Sequence, residues 1–248
     1  MERAVLRDSN VGVLLNSLTP REQLVALARV LHREGYDDHT TGHITYRQDD
    51  GTFLVNPLEL TWAELTCSDV MVMDRDGNAL DGRHTVTPAI TLHTEMHRAR
   101  PNTRVALHGH PRFATVWACA HRVPPIYDQT SAIAGSDVAM YSEYDGTVED
   151  IANARGAVEA LGNHDLALLA NHGVFVVADS ILQAYFWAST LEWRARRAWE
   201  VEQIGGGVPL RDDVVAQLHA FVRSNIHRLP QFEAAIRAEM RSDPLMFN

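Results

Sequence analysis

The seven residues Val105-Ala106-Leu107-His108-Gly109-His110-Pro111 constrain this chain more than any other stretch. An apolar run ends in two histidines one residue apart, and a proline follows. Val105 to Leu107 read as a buried strand. Strand side chains at i and i+2 share a face, so His108 and His110 project together from its carboxyl end. Each ring nitrogen needs a partner, and two imidazoles side by side suit a divalent metal better than an apolar core. The alternative is that each ring is hydrogen-bonded separately to backbone.

Bulk properties narrow the partners. The formal net charge is -10, with no block of Lys and Arg, which argues against a nucleic-acid or lipid-surface partner. Cys67 and Cys119 form no close-spaced pair, so neither a disulfide framework nor a CxxC zinc site is signalled. The first residues lack an apolar signal core, and nowhere do ~18 apolar residues run together. The expectation is a cytoplasmic protein. A length of 248 residues allows one large domain or two small ones. Thirteen histidines make their grouping worth following.

Residues 1–17 carry no strong signal and read as an N-terminal arm. Thr19-Pro20-Arg21-Glu22 is a capping box with proline at the first helical position. The helix it opens puts Leu24, Leu27, Ala28 and Leu31 on one face and stops at Gly35. Gly42 to Arg47 and Thr52 to Val55 read as a hairpin turning at Asp49-Asp50-Gly51. Leu60 to Leu65 reads as a short helical turn, Asp69 to Asp74 as a strand, and Asp81 to His84 as a loop. Thr87-Pro88 caps a helix from Ala89 to Arg98, on which His93 and His97 share a face. His93-Thr94-Glu95-Met96-His97 is not the zincin HExxH pattern, and a supporting or core role is expected for both histidines.

Phe113 to Ala120 reads as helix, Ile126 to Gln129 as loop or short strand, and Val138 to Tyr141 as an edge strand. A helix is expected over Val148 to Leu161, with strands at Asp165 to Ala170 and Val174 to Ala178. Ser180 caps a long helix through Glu202. Its tryptophans Trp187, Trp193 and Trp199, with nearby arginines, serve either a subunit interface or core packing. Gly205-Gly206-Gly207 is the clearest linker, and Arg211 to Met240 read as helical. The expected division is an arm (1–17), a main domain (18–204), and a linker with a C-terminal helical extension (205–248). Short strands alternating with helices predict an α/β domain with a mixed or antiparallel central sheet flanked by helices. Neither GxGxxG nor GxxxxGK[ST] is present, so nucleotide binding has no support.

His172 repeats the situation of His108, since an apolar run ends, a histidine stands at the end and glycine follows. A close pair plus one distant residue is a common way to build a catalytic metal centre. Three neutral imidazoles leave positions open for water and substrate. At this point the chain resembles the class II aldolase/adducin family. The matching pieces are Gly42 to Arg47, Phe53 to Pro57, Leu65 to Val70, Asp74 to Gly77, His93 to Pro101, Val105 to His110 and Leu168 to Gly173, in family order. The resemblance implies a nine-stranded sheet flanked by helices, a homotetramer with fourfold symmetry, and active sites at subunit interfaces. It also implies one divalent ion (Zn, Fe(II) or Mn) on His108, His110 and His172.

Departures from the family pattern exclude a sugar-phosphate substrate. The Ser-Ser-acid triplet ahead of the helix histidine, whose serines hold phosphate in the family, is Thr87-Pro88-Ala89 here, and the alanine in the place of the acid can act neither as base nor as metal ligand. The second phosphate loop, usually Thr-Gly after the proline, reads Leu58-Glu59, and Glu59 would repel a phosphate dianion. The family asparagine of the Gly-Asn turn is His43. Gln129 occupies the aligned place of the aldolase tyrosine, with Tyr127 two residues earlier.

Decarboxylation tolerates these losses, because it needs an electron sink and a proton donor but no base for a C–H proton. The reading is therefore a metal-dependent carbon–carbon lyase. It would decarboxylate, or cleave by retro-aldol reaction, a non-phosphorylated small carboxylic acid of aromatic or 2-oxo/hydroxy type. Tyr127, His43 and Glu95 are the candidate proton donors or orienting groups. Arg112 is a candidate partner for a substrate carboxylate, with Gln129 and Glu59 in the substrate region. A second reading is a non-haem Fe(II) oxygenase of the aminocoumarin-pathway type, since three histidines can also hold iron. A third is a non-catalytic, adducin-like interaction module.

Overall fold

The computed structural model describes residues 11–135, 137–143 and 150–248. Residues 1–10 of the expected arm, and the start at Val148 of the expected helix, lie outside the described residues. In chain order the elements are α1 (Val13–Ser17), α2 (Pro20–Arg33), β1 (His43–Arg47), β2 (Phe53–Val55), β3 (Met71–Met73) and β4 (Ala79–Asp81). There follow α3 (Thr91–Ala99), β5 (Val105–Gly109), α4 (Arg112–Cys119), β6 (Val138–Tyr141), α5 (Ile151–Leu161), β7 (Leu166–Leu169) and β8 (Gly173–Ala178). Three helices close the chain: α6 (Ile181–Gln203), α7 (Asp212–Asn225) and α8 (Gln231–Ser242).

The strands form one mixed sheet in the order β4-β3-β2-β1-β5-β8-β7-β6. Every pairing is antiparallel except β6 with β7. The expected fold class is therefore observed, but the sheet has eight strands among the described residues where the family resemblance implied nine. Ala79–Asp81 pairs with β3, although Asp81 was expected to open a loop and Ala79-Leu80 to carry no element; all three residues are exposed, so no apolar alternation marks the strand. Leu60 to Leu65 forms turns and no helix.

Period-two alternation divides the interior into two layers. Val105, Leu107, Val174 and Val176 face the main core with Leu24, Leu27, Phe186 and Leu191 of α2 and α6. Ala106, Phe175 and Val177 face the other way, into a core shared with Leu92 and Met96 of α3 and Ala154 and Leu161 of α5. His108, in phase with Ala106, thus stands on the α3 face. Both cores are continuous apolar surface, and their burial is the main force holding helices to sheet.

Local signals place the helix starts. Thr19 Oγ1 accepts from the Glu22 amide at 3.3 Å, and Glu22 Oε2 accepts from the Thr19 amide at 2.6 Å, completing the capping box. Gly51 takes the positive φ of +85° that the β1–β2 turn requires. α1 meets the C-terminal helix α8. The Leu15 amide donates to Glu233 Oε1 at 2.8 Å, and Leu15, Phe232, Ile236 and Met246 all join the main core. Among the described residues, no helix is long and apolar enough to cross a membrane.

Candidate metal centre

β1, β5 and β8 run side by side, and their ends carry the histidines. The register pairs His43 with His108 and His108 with Phe175, so the three side chains form one row across the α3 face. His110 lies just past the end of β5, and His172 immediately precedes β8. Antiparallel pairing brings the end of one strand to the start of the other, which is why residues 62 positions apart in sequence become neighbours. The ring centroids of His108, His110 and His172 are 4.9, 4.7 and 4.9 Å apart pairwise. One ligand nitrogen from each lies within 4.8 Å of the other two.

Hydrogen bonds fix which nitrogens face inward. His108 Nδ1 lies 2.9 Å from the Val174 carbonyl oxygen, which can only accept, so that nitrogen carries a proton. His110 Nδ1 lies 2.8 Å from the Asp38 carboxylate, which fixes the same tautomer. With both rings neutral, the two Nε2 atoms are lone pairs that stand 3.1 Å apart. Two lone pairs at that distance repel unless a cation sits between them. Nitrogens bound to one tetrahedral ion at ~2.0–2.1 Å lie about 3.4 Å apart. The donor set therefore fits a divalent ion.

Electrostatics favour the ligating form. Burial keeps His108 well below the ordinary histidine pKa and lowers His172 to about 4, with the neighbouring imidazoles adding to both effects. Neutral imidazole is the form a metal takes.

Asp38 carries no sequence signal that marks it as functional, since an acid before a turn is ordinary. Thr41 Oγ1, 3.0 Å from the same His110 nitrogen, shares its task. Hydrogen bonds, foremost from His39 and then from His110 and Thr41, hold the Asp38 carboxyl below its usual range. Asp38→Ala is expected to weaken zinc binding about 10–100-fold, the usual effect of losing the carboxylate behind a ligating histidine. A chelator competition titration checks this, and unchanged affinity would remove Asp38 from the site.

A short helix ties the two ligand loops together. α4 begins two residues after His110, and at its far end the Ala118 carbonyl accepts from the Asn171 amide at 3.3 Å. His121 Nε2 lies 2.9 Å from Asn171 Nδ2, and Asn171 itself adopts a left-handed φ of 57°. Both contacts act on the residue immediately before His172.

The other sequence candidates separate. His43 is beside the triad, with its ring centroid 5.2 Å from that of His108. Its Nε2 lies 3.4 Å from Thr87 Oγ1, its Nδ1 is buried without a hydrogen-bond partner, and burial lowers its pKa to about 3. Glu95, expected as a proton donor or orienting group, is instead buried with its carboxylate paired to Arg155 and Arg98. Its position two residues after His93 turns it about 200° round the helix, onto the α5 side.

Tyr127 packs on the main core and lies 3.3 Å from where a Gly207 Cβ would stand, which assigns it to the C-terminal segment in its own chain. Gln129 is exposed, and its carbonyl closes a turn with the Ala132 amide. Glu59 spends both carboxylate oxygens on the Thr85 amide, at 3.0 and 3.1 Å. Arg112 is exposed and lines a neighbouring cleft with Asp37, Glu192 and Arg196.

His93 and His97 are both buried on α3. Thr45 Oγ1 stands 3.0 Å from His93 Nδ1 and 2.9 Å from His97 Nε2, stapling α3 to β1 beneath the site. Burial, helped by Arg47, lowers His97 to about 3. The unfolded chain binds this proton near pH 6.5 and the folded one only near 3, so the contribution is complete above about 6.5 and is lost as pH falls towards 3. Urea midpoints between pH 7 and 4 are expected to fall less steeply for His97→Gln, by up to about 1.36 kcal/mol per pH unit. Parallel slopes for variant and wild type would refute this origin.

Comparison with known proteins agrees with this architecture. An adducin-related protein of Schizosaccharomyces pombe is 30% identical over 182 residues, covering 67% of this chain and 54% of that protein. A 4-hydroxy-3-prenylphenylpyruvate oxygenase/4-hydroxy-3-prenylbenzoate synthase of Streptomyces roseochromogenus is 28% identical over 188 residues, 73% of this chain and 68% of that one. A 3,4-dihydroxyphthalate decarboxylase of Arthrobacter keyseri is 29% identical over 212 residues, 80% and 85%. Among solved structures, an L-fuculose 1-phosphate aldolase from Glaciozyma antarctica superposes with a TM-score of 0.81 at 21% identity, over 100% of this chain and 96% of that one. Residues 22–199 match the class II aldolase and adducin N-terminal domain, and the chain belongs to that family.

Proposed function

We propose that this chain is a metal-dependent carbon–carbon lyase whose main reaction is loss of CO₂ from a non-phosphorylated aromatic or 2-oxo/hydroxy acid, with retro-aldol cleavage as the related possibility. The observation that carries the reading is the convergence of one ring nitrogen each from His108, His110 and His172, with the Nε2 atoms of the first two facing each other. His108, His110 and His172 would hold the ion. When bound, a divalent ion there supplies a Lewis acid that draws electron density from a substrate oxygen.

The chain's own groups do the remainder. Val174 and Asp38 hold the ligand rings in one tautomer and orientation. His43, neutral and with a free Nδ1, supplies a hydrogen-bonding group beside the triad. Loss of CO₂ breaks one C–C bond and leaves an electron pair on the substrate carbon, which then takes a proton. No C–H proton has to be removed first. That suits a pocket in which Ala89 replaces the family acid while Glu95 and Glu59 are bound elsewhere. Tyr127 would serve as proton donor only to the triad of a neighbouring subunit, in a homotetramer with its sites at the interfaces.

The Arthrobacter decarboxylase supports this substrate class, and the Streptomyces oxygenase, at similar identity, supports Fe(II) oxygenation as the second reading. The gathered triad weighs against a purely structural, adducin-like module. Protein purified without chelator is expected to carry about one divalent ion per chain. It should release CO₂ from a dihydroxy aromatic acid at the same rate with and without oxygen. Oxygen consumption coupled to turnover moves the assignment to the oxygenase, and absence of any bound ion moves it to the module.

A further inference from the structure

Glu192 sits in α6 with only 4% exposure, and none of the chemistry above uses it. Its two carboxylate oxygens accept the amides of Phe113 and Ala114, each at 2.8 Å. Those amides open α4, where the cap position is Pro111, a residue with no side-chain acceptor. The preceding amide, of Arg112, donates to the Gly35 carbonyl at 3.1 Å. Gly35 in turn is pressed against Glu192, since a Cβ there would lie 3.3 Å from Oε1. Three successive amides, starting two residues after His110, are therefore held by α6 and by the loop that also carries Asp38.

We propose that Glu192 is a positioning residue for His110: its carboxylate clamps the first turn of α4 and so fixes the ring of that histidine opposite His108. The proposal rests on the reading of the triad as a metal centre. Burial pushes the Glu192 carboxyl up to about 7, while the two amides pull it down. Asp37 raises it further and Arg196 lowers it, with Arg112, Glu34 and Arg33 lining the same cleft.

The test is zinc titration of the full chain against a chromophoric chelator, with amide hydrogen exchange followed over residues 111–118. Glu192→Ala is expected to bind zinc about tenfold more weakly than wild type while keeping its secondary structure. Glu192→Gln, which keeps one acceptor oxygen, should recover part of the loss. Both should exchange faster at Phe113 and Ala114. Folded Glu192→Ala protein with wild-type zinc affinity overturns the proposal. If that variant does not fold, Glu192→Gln decides: faster exchange with unchanged affinity overturns it equally. A wild-type chain that takes up no zinc overturns the metal reading, and this proposal with it.

Discussion

His110→Ala protein is expected to fold and to lose its metal. The side chain is only partly buried, 17% exposed, and it belongs to no apolar core cluster, so circular dichroism should stay close to wild type and the urea midpoint close to that of metal-free wild type. Affinity for zinc should fall by more than about 100-fold, since removing a ligand must cost at least as much as removing the partner behind one. Turnover should fall with it. Elemental analysis of the variant and wild type, purified side by side, reads the result. Equal metal content in the two would place the ion elsewhere and end the site assignment.

Gly173→Ala should be the most damaging single-methyl change. An added Cβ would stand 2.4 Å from His110 Cδ2 and 2.5 Å from the Gly109 carbonyl oxygen. The second of these is backbone, so no side-chain rotation relieves it, and β5 and β8 must move apart where they pair. The expected loss is about 1–3 kcal/mol of stability, the usual range for overpacking. Zinc affinity should fall as well, by about tenfold or more, because the displaced strand ends carry His110 and precede β8 by His172. A urea melt and a zinc titration on one preparation check both. Wild-type values in each would show that the interstrand gap is wider than described.

The triad was legible in the sequence because it rests on two strong local rules. Period-two alternation put His108 and His110 together, and an apolar run ending in His172-Gly173 repeated the pattern. Asp38 was not legible, because its role exists only once the α2–β1 loop folds over the end of β5. Glu192 was hidden for a related reason: in a helix rich in Arg and Glu, nothing local distinguishes an acid that caps another helix. Glu95 pairs with Arg155 because helical spacing turns it away from the side of α3 that His93 occupies. Tyr127 stands two residues before the aligned place of the family tyrosine, and tertiary packing sets it against Gly207. Ala79–Asp81 is held as a strand by pairing with β3, which no exposed tripeptide announces.

The brace that α4 forms between the two ligand loops has an evolutionary and engineering corollary. Its eight residues act as a ruler. One residue inserted or deleted within it would swing the far end by about 100°, carrying the Ala118 carbonyl away from Asn171. Length variation among natural or designed variants should therefore gather in stretches such as Gly205-Gly206-Gly207, where a Cβ at Gly205 or Gly206 would meet nothing within 4 Å. It should be absent between His110 and Cys119, where point substitutions are the only safe currency of change.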